Sequence, residues 1–90
     1  KALLCTAYGL PENLAITEID LLPLQDKEVR IAIYACGVNF PDALIIQNKY
    51  QFKPPLPFSP GGEVAGIIVA VGNAVKHLSV GTRVLALSIW

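Results

Sequence analysis

The sequence predicts a mainly β, barrel-like domain with one short helix. Three observations carry this. Glu28 to Tyr34 and Arg83 to Trp90 alternate with period two, which marks half-buried strands. Val64 to Val71 is a run rich in β-branched residues. Turn residues at Gln25-Asp26-Lys27, Gly72-Asn73 and Ser79-Val80-Gly81-Thr82 separate these runs.

In chain order, Ala2 to Ala7 is a short apolar strand closed by Tyr8-Gly9-Leu10-Pro11. Leu14 to Leu21 alternates roughly, Ile16 and Glu18 against Thr17 and Ile19. Glu28 to Tyr34 alternates well, with Val29, Ile31 and Ile33 on one face. The pattern then changes. Asn39 can cap a helix, Pro41 suits the first helical position, and Asp42 places negative charge at the positive end of the helix dipole. With Leu44, Ile45 and Ile46 following, the helix is expected over Pro41 to Asn48, short enough that tertiary packing must hold it. Lys53 to Pro60 contains four prolines; it must be extended and cannot be a central strand. Val64 to Val71 reads as a strand buried on both faces. Arg83 to Trp90 sets Val84, Ala86 and Ser88 against Leu85, Leu87 and Ile89, and the chain stops inside this strand, which argues for truncation.

The chain has 90 residues, 53% of them hydrophobic and 16% charged; about 25% charged is typical. A domain of this size buries only roughly 60–65% of its unfolded surface, so so apolar a composition calls for partner surface outside the chain. The strongest apolar stretch, Val64 to Gly72, is about half of the ~20 residues a spanning helix needs, so no membrane span is expected. Seven basic residues balance seven acidic ones, which gives no electrostatic footprint for nucleic acid. No basic region followed by an apolar one opens the sequence, so no secretory signal is expected and a cytoplasmic protein is. Cys5 and Cys36 have no metal spacing and read as two buried thiols.

Few side chains could carry chemistry. A glycine-rich phosphate loop needs a strand before it and a helix after it. Gly61-Gly62 follows prolines and precedes a strand, so it reads as a tight bend. Glu63 opens an apolar strand. It is either a solvent-facing or paired structural carboxylate, or a group at a cleft floor, because an unpaired buried charge is costly. Asn39 and Asp42 are explained by capping alone. Tyr50 is a hydroxyl donor or a packed loop aromatic. His77 lacks cysteine or histidine partners and makes a poor metal site. Pro54-Pro55-Leu56-Pro57 fits PxxP, but such tracts commonly stiffen loops.

The linked order of Glu28-Val29-Arg30-Ile31, Ala35-Cys36-Gly37-Val38-Asn39-Phe40-Pro41-Asp42, Pro55-Leu56-Pro57-Phe58-Ser59-Pro60-Gly61-Gly62-Glu63, Ala70-Val71-Gly72 and Gly81-Thr82-Arg83-Val84 resembles the medium-chain dehydrogenase/reductase superfamily. The resemblance spans nearly the whole chain and covers only that family's N-terminal, GroES-like catalytic domain. It implies a partly open GroES-like β-barrel over residues 1–90, an incomplete part of a larger two-domain enzyme whose Rossmann domain is absent here. Zinc-dependent members carry a cysteine ligand where this chain has Asn39 and a histidine ligand where it has Gly62. With both ligands missing, these positions offer zinc none of the cysteine, histidine or carboxylate donors it needs, and the asparagine form resembles the zinc-free quinone oxidoreductase branch.

By that resemblance the parent protein transfers hydride from NADPH or NADH to a quinone or α,β-unsaturated carbonyl. The cofactor is bound mainly by the absent domain. Asn39 and Tyr50 are the implied catalytic and nicotinamide-contacting donors, with Asp42, Leu44 and Glu63 lining or supporting the pocket. Many quinone oxidoreductases have another tyrosine where this chain has Leu44. A homodimer is expected of the full enzyme, and no activity of the 90 residues alone. The alternatives are an enoyl-thioester reductase and a non-enzymatic co-chaperonin module, the latter predicting a mobile glycine-rich loop where Tyr50 to Pro60 is stiffened by proline.

Overall fold

A computed structural model describes residues 1–88. The chain is mainly β with one short α-helix, and its sheets form no closed barrel among the described residues. It resolves into two compact units, one of Lys1–Asp20 and Gly37–Gly62 with Ser88, the other of Leu21–Cys36 and Glu63–Leu87.

The first unit carries β1 (Ala2–Leu4), a 3₁₀ turn at Pro11–Asn13, β2 (Ala15–Thr17) and α1 (Phe40–Ile45). β1 and β2 pair antiparallel, Ala2 opposite Thr17 and Leu4 opposite Ala15. Both strands are shorter than the sequence predicts. Cys5 leaves β2 and bridges Phe58 instead, its N–H on the Phe58 carbonyl at 2.8 Å and the reverse bond at 3.1 Å. Thr6 and Ala7 therefore leave the strand, and Leu14, which the β1–β2 register would set opposite Cys5, falls outside β2. The same bridge places the proline-rich segment. It is no part of a central strand, as expected; it bends at Leu56 and Pro57, whose peptide is cis, and its Phe58 is buried. Cys5, Ile45, Ile46 and Phe58 form the buried cluster of this unit, with Leu14 and Tyr50 packed against it. Each large side chain buried there contributes about 1.5–3 kcal/mol.

The second unit is a three-stranded antiparallel sheet in the order β3 (Val29–Cys36), β4 (Glu63–Val71) and β5 (Arg83–Leu87). β3 runs two residues beyond its expected end. Register shifts at Arg30/Ile31 and Ile33/Ala35 interrupt its alternation, and Ile33 and Tyr34 are both exposed. An extra residue in one strand re-aims the side chains that follow it. β4 is the central strand, but it is not buried on both faces as its composition suggested. Gly66 and Ile68 are covered, whereas Val69 is 47% exposed. Gly66 lies so close to β3 that an added Cβ would meet the Ala32 carbonyl oxygen and the Ile31 side chain. β5 alternates as the sequence predicts, with Val84 and Ala86 half-buried, but its Leu85 and Leu87 are 86% and 87% exposed. Ile89 and Trp90 of the expected strand lie outside the described residues.

Among the described residues no helix is long and apolar enough to cross a membrane.

Candidate functional site

The site is built around α1. It begins at Phe40, one residue earlier than the sequence suggests, and ends at Ile45. Pro41 falls in the first turn, where backbone N–H groups have no intrahelical acceptor and a missing donor costs nothing. Asn39 is the N-cap, with extended backbone (φ −123°, ψ 166°). Asp42 is 7% exposed, and its Oδ2 accepts the Asn39 N–H at 2.8 Å. The Asp42 N–H donates back to the Asn39 carbonyl at 3.0 Å. The pair forms a capping box, which satisfies donors that would otherwise be orphaned. Asn39 itself is exposed. A carboxamide offers two N–H donors besides its oxygen, so capping through the oxygen leaves donors facing solvent.

The other end of α1 positions Tyr50. The Gln47 and Lys49 N–H groups both reach the Leu44 carbonyl, at 3.1 and 2.9 Å. Asn48 turns the chain with a left-handed φ of 60°, a conformation asparagine tolerates better than most residues. The Lys53 ammonium secures this turn, donating to the Asn48 carbonyl at 3.1 Å and to its side-chain oxygen at 2.9 Å. The chain then returns Tyr50 to the buried cluster that Ile45 and Ile46 line. Leu44 is half-buried. Asn39, Asp42 and Leu44 thus share one short segment, with Asn39 and Asp42 in direct contact, and Tyr50 follows in the adjoining loop.

Gly61 has a φ of 107°, the left-handed region that favours glycine. The Gly62 carbonyl accepts the Ser88 N–H at 2.8 Å. Glu63 belongs to the sheet unit, where it starts β4 opposite Leu87 and is exposed. The bend leads into a strand, so it supplies no helix N-terminus for a dinucleotide pyrophosphate.

Among the described residues no three His, Cys, Asp or Glu side chains gather to hold a metal. His77 is exposed. Cys5 and Cys36 form no disulfide. Cys5 is buried, its thiol donating to the Ala7 carbonyl at 3.4 Å, and burial pushes that thiol up from its ordinary pKa. Cys36, expected to be buried, is exposed. It lies past the second register shift of β3, where Tyr34 and Ala35 also face outward.

The sheet unit has its own open concavity of about 530 Å³, lined by Tyr34, Ala65, Gly66, Ile67, Arg83, Val84 and Leu85. None of Asn39, Asp42, Leu44, Tyr50 or Glu63 lines it. Tyr34 and Arg83 went unnoticed in the sequence, where they read as ordinary strand residues.

Residues 25–89 match the family described as the alcohol dehydrogenase GroES-like domain. The chain is 40% identical over 88 residues to quinone oxidoreductase-like protein 2 of Rattus norvegicus, covering 98% of this chain and 25% of that protein. It superposes on Escherichia coli quinone oxidoreductase complexed with NADPH with a TM-score of 0.83 and 33% identity, over 98% of this chain and 27% of that one. An NAD-dependent alcohol dehydrogenase gives a TM-score of 0.86 and 30% identity, over 93% of this chain and 24% of that one. The chain therefore spans about a quarter of the length of these relatives. Because a quinone reductase and an alcohol dehydrogenase superpose about equally well, the choice between them rests on the site residues.

Proposed function

Since the chain belongs to the alcohol dehydrogenase GroES-like domain family, we propose that it is the acceptor-binding part of a longer oxidoreductase that reduces a quinone or α,β-unsaturated carbonyl without zinc. The observation that carries this reading is Asn39, an exposed carboxamide fixed by the buried Asp42, at the position where zinc-dependent members carry a cysteine ligand.

The residues do not fit zinc. Asn39 offers a weakly donating amide, Gly62 has no side chain, and structural and catalytic zinc sites are built from cysteine, histidine and carboxylate donors. An isolated carbonyl depends on such a Lewis acid for polarisation. A quinone or enone spreads incoming negative charge over its own conjugated system, so hydrogen-bond donors suffice.

The fit to a nicotinamide cofactor is partial and one-ended. Asn39 and Tyr50 can meet the nicotinamide end with an amide and a phenol. Neither the Gly61-Gly62 bend nor the short α1 makes a phosphate cradle. NADPH or NADH, when bound, supplies the hydride, and most of its binding surface belongs to a Rossmann domain outside this chain. In this reading Asn39 donates to the acceptor oxygen or steadies the nicotinamide, while Tyr50, seated on the core beside α1, does the same from the loop. Asp42 holds the Asn39 backbone. Leu44 contributes apolar wall. The full protein works in the cytoplasm as a homodimer.

The test is steady-state turnover by the full-length protein with NADPH and, in parallel, a quinone, an enoyl thioester and a saturated ketone. Preference for the quinone supports the proposal. Preference for the enoyl thioester selects the enoyl-reductase alternative, and preference for the ketone refutes both.

A further inference from the structure

No further inference is drawn: the strongest candidate, the open apolar face of the β3–β4–β5 sheet around Tyr34, Ile67, Arg83 and Leu85, carries nothing because nothing in the structure shows what covers it.

Discussion

The Asn39 backbone N–H donates to the buried Asp42 carboxylate at 2.8 Å, and the Asp42 N–H returns to the Asn39 carbonyl at 3.0 Å. The residue proposed to face the acceptor is therefore held by its main chain, and its side chain does not have to provide the whole anchor. Pre-set donors of this kind avoid reorganisation during the reaction.

Replacing Asp42 with alanine removes the acceptor and leaves the Asn39 N–H orphaned. The expected loss is about 0.5–2 kcal/mol, the usual range for a helix cap. Asp42→Asn keeps an acceptor oxygen and should lose less. Urea denaturation of the full-length protein measures both; equal losses would show that the charge, rather than the hydrogen bond, matters.

Asn39→Ala in the full-length protein should lower kcat about 10²–10³-fold, the range for losing one well-placed transition-state donor. Stability should fall by about 0.5–2 kcal/mol, the usual cost of truncating an N-cap residue, while the Asp42 bond to the Asn39 backbone remains. Quinone kinetics beside a melting curve check this. An unchanged kcat would remove Asn39 from the reaction.

Gly66→Ala should destabilise the sheet by roughly 1–3 kcal/mol, the cost of overpacking. The new methyl would collide with the Ala32 carbonyl, which is backbone and cannot rotate away. The midpoint of chemical unfolding reads the effect, and a midpoint equal to that of the parent would contradict the close approach of β3 and β4.

The two thiols should behave differently. Exposed Cys36 should alkylate in the native protein, and buried Cys5 only on unfolding, as peptide mapping by mass spectrometry can show. The Cys5 thiol is raised from 9.0 by burial, so the folded state holds that proton more tightly than the unfolded state does. This contribution is intact below about pH 9 and is lost as pH rises above it. Cys5→Ala should flatten the alkaline fall in stability.

Much of this fold was legible because its signals are local. Val84 and Ala86 alternate with Leu85 and Leu87 in the sequence and on the strand. Asn39 and Asp42 announce a helix start, since a capping box needs only residues three apart. What was hidden depends on contacts distant in sequence. Nothing near Cys5 says that it pairs with Phe58 rather than continuing along β2. Nothing near Tyr34 says that a register shift turns it, and then Cys36, outward. The candidate site divides in the same way. The backbone that fixes Asn39 could be read from the chain, whereas the seat of Tyr50 depends on a buried cluster that Cys5, far back in the chain, helps to build.

The 90-residue chain alone should not oxidise NADPH, because its Gly61-Gly62 bend runs into β4 and not into a helix. Measurable NADPH oxidation by the isolated chain would contradict the assignment of the phosphate site to another domain.

The most direct test of the central claim is quinone-dependent NADPH oxidation by the full-length protein before and after exhaustive treatment with a zinc chelator. The account predicts a rate that is unchanged by metal removal and falls about 10²–10³-fold in Asn39→Ala. A rate abolished by the chelator and restored by added zinc would contradict it.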